Sequence, residues 1–141
     1  MNVEPVVCQV VVPCPPARAH RLFVDDIGTW WPLGEHGVFG AGGTVTVTEG
    51  RIVETGPDGR TAVWGTLTDV AEPGLLAFTW HPGADPEAAT HVRVTFADDG
   101  AGGTRVELVH TGWPAHRDPR AAREAYDRGW PGVLAALAAA A

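Results

Sequence analysis

Serine is absent from all 141 residues of this chain. A serine nucleophile, and with it any serine triad, is therefore excluded. Cysteine is nearly as scarce: Cys8 and Cys14 are the only two, and neither has a histidine at a fixed local spacing. Cys8 falls in VVCQVVV, where Cys8, Val10 and Val12 share one face and Gln9 takes the other. A core thiol is the simplest account of it. So few thiols fit a reducing compartment, and a cytoplasmic location is expected. No apolar run reaches about 18 residues, the length that crosses a bilayer. The first residues do not join a basic segment to a long apolar one, so a secretory leader is not expected.

Positive charge is also in short supply. Ten basic residues face seventeen acidic ones, for a formal net charge of -7. The basic residues are dispersed; Arg117, Arg120, Arg123 and Arg128 are the densest group, and they suit the solvated face of a helix. No nucleic acid is expected as a partner, because a binder needs a basic surface to displace counterions. Gly40-Ala41-Gly42-Gly43 precedes a strand and not a helix, so it is no phosphate cradle. With 45% hydrophobic and 19% charged residues the chain is not disordered. It shows no repeat and no second domain, and residues 1–141 read as one domain with a core that needs no staples.

What the chain does have is alternation. In Thr104–Thr111, Val106, Leu108 and His110 fall on one face and Arg105, Glu107 and Val109 on the other. That period of two marks a strand with one buried face. The same pattern predicts strands over Val6–Val12, Thr44–Thr48, Arg51–Thr55, Thr61–Val70, Leu75–Trp80 and Thr90–Phe96, separated by turns such as Pro57-Asp58-Gly59 and Glu72-Pro73-Gly74. Pro13 to Pro16 end the first strand, and a helix follows over Ala17–Val24. Asp25 or Asp26 caps a second short helix through Trp31, which Pro32 ends. Asp118 to Ala140 reads as a long helix with a stripe of Tyr126, Trp130, Val133 and Leu137, and Pro131 predicts a kink near Gly129. Laying that stripe across a curved antiparallel meander buries both apolar faces, with the two short helices plugging one end.

Several short pieces, in this order, resemble a known family: Trp30-Trp31-Pro32, Arg51-Ile52-Val53-Glu54, Asp58-Gly59, Trp64-Gly65, Glu72-Pro73, Phe78-Thr79-Trp80, Gly103-Thr104-Arg105-Val106, His110-Thr111-Gly112-Trp113 and Gly129-Trp130. The chain looks like a member of the START-like (SRPBCC) superfamily, and within it is most similar to the group named for the activator of the heat-shock protein 90 ATPase. The resemblance covers nearly the whole chain. It implies an α+β helix-grip fold: a curved antiparallel sheet of about seven strands around a long C-terminal helix, with a cavity between. That superfamily includes lipid carriers, polyketide aromatases and cyclases, hormone receptors and antibiotic-resistance proteins. The chaperone activator itself has a further large N-terminal domain that these 141 residues do not contain, so chaperone activation is not the leading expectation.

Binding of a small, largely apolar or aromatic molecule in that cavity is the function expected first. An enzyme of the cyclase, aromatase or antibiotic-resistance type is the alternative, and a chaperone-interacting module a third. A protein partner or a homodimer remains open. The six tryptophans suit either a core or a cavity wall. Trp80 lies on an inward face with Phe78, Trp130 sits on the helix stripe with Tyr126, and Trp113 follows a glycine where it would close the mouth. With Trp30, Trp31, Phe39 and Trp64 these are the expected ligand contacts. His110 joins them on the apolar face. It either meets a ligand oxygen or bonds the backbone to orient its turn. Glu54, set with Ile52 by strand alternation, is read as buried and paired, facing either the same cavity as its companion His110 or a strand neighbour, and acid–base catalysis by the two is open. Which residues, if any, are catalytic is open. His81 and His91 flank a hairpin loop without a carboxylate partner, so no metal is expected, and no cofactor either. His36 and His116 are placed in solvated loops.

Overall fold

Tandem prolines stop the first strand and start the first helix. The computed structural model describes residues 3–141. Strand β1 (Val6–Val12) ends at Pro13, and α1 (Pro16–Val24) opens with Pro15 as its cap and Pro16 at its first position. There a missing amide costs nothing. Two one-turn helices follow, α2 (Ile27–Trp30) and α3 (Leu33–His36), the second beyond the two helices expected between the first strands. Six strands come next: β2 (Thr44–Thr48), β3 (Arg51–Thr55), β4 (Thr61–Ala71), β5 (Leu75–Trp80), β6 (Thr90–Asp98) and β7 (Thr104–Thr111). Helix α4 (Pro119–Ala140) closes the chain. The side chain of Asp118 caps it by accepting from the Ala121 amide, 3.1 Å away. The helix continues through Pro131 as a single element.

All seven strands form one antiparallel sheet in the order β1-β7-β6-β5-β4-β3-β2. The order is a meander from β2 to β7, with β1 returning to flank β7. Register shifts between Ile52 and Val53 and between Leu67 and Asp69 put extra residues into the β3–β4 and β4–β5 ladders. Such bulges bend and twist a sheet locally. Gly65 lies between them in β4. A Cβ at that position would stand 1.7 Å from the Thr79 carbonyl oxygen, so only glycine allows β4 and β5 to approach this closely.

The concave face carries the core. Along β7 the residues Thr104, Val106, Leu108 and His110 are buried while Arg105 is exposed, as the alternation predicts. Leu76, Phe78 and Trp80 from β5 and Val92, Val94 and Phe96 from β6 complete that face. Against it α4 buries Trp130, Val133, Leu134 and Leu137, and α1 adds Ala19, Leu22 and Phe23. Cys14 is buried and Cys8 half-buried under the core, both free thiols whose ionisation burial pushes up. Truncating Trp130 to alanine leaves a large hole between helix and sheet. We expect Trp130→Ala to cost about 3–5 kcal/mol, read as a fall in the urea midpoint; an unchanged midpoint would contradict this packing.

Candidate functional site

Buried polar atoms in this core form two closed circuits, and a pocket lies beside both. The first circuit centres on His110, which is fully buried. Trp130 donates its indole N–H to His110 Nδ1 at 3.0 Å. An indole nitrogen can only donate, so Nδ1 must be the acceptor and the proton sits on Nε2. Nε2 lies 2.6 Å from Thr90 Oγ1, which in turn donates to the Trp80 carbonyl at 3.1 Å. Each group then makes the bond its chemistry allows. Burial pushes the His110 pKa down to about 3, with His116 and His91 adding smaller like-charge effects. The ring is neutral and internally satisfied. It stabilises the fold and has no nitrogen left for a ligand.

The second circuit centres on Glu54, also fully buried. Its carboxylate accepts from the Val38 amide at 2.7 Å, the Phe39 amide at 3.1 Å and the Trp64 indole at 3.0 Å. Glu54 thus ties the segment after α3 to the inner face of the sheet. It does not meet His110, and the expected pairing of the two is corrected: each has its own set of partners.

The pocket has a volume of about 270 Å³ and sits where α3, the end of β5 and α4 converge. Its walls are the rings of Trp31, Trp80, Tyr126 and Trp130, with Val38, Pro82, Ala125 and Val133 between them. Tyr126 stacks on Trp130 with an interplanar angle of 27°, and Trp80 tilts against Trp130 at 46°. No lining residue carries a formal charge. Two polar side chains stand in this apolar wall. The hydroxyl of Tyr126 accepts from the Trp80 indole at 3.1 Å, and burial holds its phenol above the usual range against the opposing effect of that bond. His36 reaches the wall from the last residue of α3. A Cβ on Gly129 would come within 3.3 Å of the His36 ring, so the bare glycine lets that ring lie against α4.

Of the ten expected contacts, Trp31, Trp80, Tyr126 and Trp130 line this pocket. The other six do not. Trp30 packs between Trp31 and Phe23, away from the pocket, and donates its indole N–H to the Leu22 carbonyl. Trp64 is fully buried behind Trp31 and Trp80, with Glu54 holding its indole. Phe78 packs one step deeper, between Phe23 and Trp80. Phe39 lies outside, its ring 5.0 Å beneath the Arg60 guanidinium. His110 and Trp113 pack on each other in the core, ring centroids 4.3 Å apart and tilted by 40°, so Trp113 does not close the mouth. The reason is common to the five buried ones: sequence pattern tells inward from outward, but a buried ring can face packed neighbours as easily as open space.

His36 is the residue that sequence reasoning misplaced, since it is half-buried in a helix and not in a solvated loop. Four residues bracketed by Pro32 and Gly37 offer no periodicity by which to find that helix. His116, the other one, is half-buried against Trp113. His91 is exposed on the convex face and His81 is buried, and among the described residues no three histidine, cysteine or acidic side chains gather as a metal site.

The His110 circuit has a measurable consequence. Above an ordinary imidazole pKa of 6.5 the ring is neutral folded or unfolded, and acidity costs nothing. Below that the unfolded chain takes up a proton that the folded core refuses until about pH 3. Stability should therefore fall by about 1.4 kcal/mol per pH unit from this group across that window. In His110→Gln the amide oxygen and NH2 replace acceptor and donor, but nothing titrates. The variant should be less stable than the parent at pH 7, and the gap should close on going to pH 4. A gap that stays constant in urea titrations over this range would refute the assignment.

Comparisons with known proteins agree with this architecture. The chain resembles the anthrahydroquino-gamma-pyrone synthase Txn09, complexed with SUM, at 27% identity over 97% of this chain and 96% of that one, with a TM-score of 0.62. The Aha1 dimer from Colwellia psychrerythraea matches at 15% identity over 96% and 94%, TM-score 0.66. An HSP90 activator from Plasmodium falciparum matches at 19% over 78% and 74%, TM-score 0.55. Comparison with curated proteins gave no match. The family described as activator of Hsp90 ATPase homolog 1-like protein matches residues 13–141, and to that family, with its helix-grip fold, this chain belongs.

Proposed function

We propose that the protein binds a planar, uncharged and largely apolar aromatic molecule in the pocket between α3, β5 and α4. The observation that carries this reading is the wall itself: three indoles and a phenol around an open space with no charged side chain. Flat aromatic walls gain most from a flat aromatic guest, through offset or edge-on ring contacts as well as area removed from water. A volume of about 270 Å³ is close to the lower end of the range for small-molecule sites, which favours a compact guest. The likeness to a synthase of a fused aromatic pyrone, at 27% identity, supports the same ligand class and makes catalysis on such a molecule the second reading. A chaperone-binding role has less support. The exposed large apolar residues, Val7, Val11, Val38 and Val70, are spread over β1, β4 and the loop after α3. They make no broad patch of the kind a protein partner covers.

Hydroxylated naphthoquinones, anthraquinones and flavones should quench tryptophan fluorescence saturably, because Trp31, Trp80 and Trp130 form the wall. At about 100 times its dissociation constant such a ligand should add about 2.7 kcal/mol of stability, seen as a raised melting temperature. Saturated fatty acids of similar size should do neither. Ala125→Trp fills the pocket from an exposed position on α4 and should abolish quenching while the fold persists. Equal quenching of parent and Ala125→Trp, or no quenching by any aromatic compound, would reject the reading.

A further inference from the structure

Among the described residues the buried side-chain atoms without a partner are His81 Nδ1 and Trp113 Nε1, neither of which lines the pocket; in the pocket wall itself two half-buried side chains have hydrogen-bonding capacity left over. Tyr126 accepts the Trp80 indole N–H on its oxygen, and its own hydroxyl proton has no acceptor within the described residues. That arrangement leaves the hydroxyl as a donor aimed away from Trp80. Neither ring nitrogen of His36 has a hydrogen-bond partner within the described residues, although its backbone carbonyl accepts from the Trp31 indole at 3.2 Å. The two side chains reach the same stretch of α4. The His36 ring lies against Gly129, and Gly129 is three residues after Tyr126, on the same helical face. Both line the same uncharged cavity.

The geometry points to a proton-transfer pair: His36 takes the proton of a phenol or enol on an aromatic ketone, while the Tyr126 hydroxyl donates to the conjugated carbonyl oxygen. This rests on the proposed aromatic binding site and adds to it the oxygen chemistry of the ligand. The balance is simple. The ligand O–H bond breaks and its proton passes to an imidazole nitrogen. The electron pair stays on the ligand oxygen and spreads through the ring to the carbonyl, where Tyr126 meets the charge. Returning the proton to oxygen restores the starting phenol, and returning it to a ring carbon gives the keto tautomer. No oxidant or second substrate is needed. Imidazole suits the task because a neutral ring has one nitrogen with a free lone pair that can take up a proton. The phenol of Tyr126 suits the other because burial keeps it protonated, and so a donor, well past neutrality.

The surroundings add no competing charge to the cavity. Glu35 is on the same short helix as His36, Asp127 and Arg128 are beside Gly129, Glu54 lies behind the following loop and His81 follows β5. Of the titratable groups on these elements, only Tyr126 and His36 itself line the pocket. Glu54 is committed to two amides and an indole, so it is not available as the base.

The test uses 7-hydroxycoumarin, a phenol conjugated to a ring carbonyl whose ionised form has its own absorption and emission. Binding is measured by tryptophan quenching, and ionisation separately by titrating the bound dye. In the parent protein the apparent pKa of the bound dye should fall by at least one unit, so that tenfold more phenolate is present at a given pH. In His36→Gln, which keeps hydrogen-bonding capacity but cannot take the proton, the dye should still bind within about threefold and the fall should vanish. Tyr126→Phe should weaken it in part, with melting temperatures checked for both variants. A bound dye that titrates as it does in water, or an unchanged fall in His36→Gln, overturns the proton-transfer pair while leaving the binding site standing. Failure of the dye to quench or bind overturns the pair together with the site.

Discussion

An indole nitrogen can only donate, and burying it without an acceptor costs free energy. Trp130 finds one at Nδ1 of His110 on the neighbouring sheet, 3.0 Å away. That bond crosses the main seam of the fold, from the terminal helix to β7. It fixes the rotation of α4 about its own axis, because Trp130 can meet His110 in only one orientation. Everything else that α4 presents follows from it. Val133, Leu134 and Leu137 turn into the sheet, and Tyr126 and Gly129, one turn earlier, turn toward α3. The pocket therefore inherits its shape from a polar contact made behind its wall, since Trp130 lines the pocket while His110 does not. It also inherits an acid sensitivity, since a protonated Nδ1 would remove the only acceptor the indole has.

Buried ionisable groups of this protein divide by whether their hydrogen bonds are spent. His110 and Glu54 are spent entirely on the fold, the one joining sheet to helix and the other joining sheet to the loop after α3. Removing either would leave buried donors without acceptors, at roughly 1–3 kcal/mol for each orphaned group. The half-buried His36 and Tyr126 have capacity left over and face a cavity of about 270 Å³. The likeness in fold to HSP90 activators and to a pyrone synthase cannot distinguish among functions, because a fold hosts many. Unspent hydrogen bonds in a cavity are more discriminating. They cost free energy when the cavity is empty of partners and repay it only with a ligand that carries matching oxygens.

The fold was legible in the sequence for a definite reason. A sheet with one buried face tends to alternate and its strands end at turn residues, so β1, β2, β3, β5 and β7 have the bounds that pattern and turns predict. Where pairing outlasts the pattern, as at Ala71 in β4 and at Ala97 and Asp98 in β6, the strands run slightly further than predicted. The long helix begins one residue after Asp118, whose side chain caps it. The resemblance to the family supplied what periodicity alone does not, namely that sheet and helix enclose a cavity.

The site was legible only in part, and the reason lies in the tryptophans. Trp30 and Trp31 are adjacent, both buried and in contact at 5.6 Å between ring centroids, yet Trp30 packs on α1 and only Trp31 lines the pocket. Their neighbours in sequence are the same; their fates differ by the direction of a single residue step. His36 is hidden by a different cause. A four-residue helix has no period, and the glycine that receives its ring is 93 positions away, counting from 36 to 129. What brings the two together is the rotation of α4, which is set by Trp130 and His110. The same inward-facing histidine that the alternation of β7 makes conspicuous is thus the residue that positions the inconspicuous one, and the chemistry of the pocket depends on that indirect link.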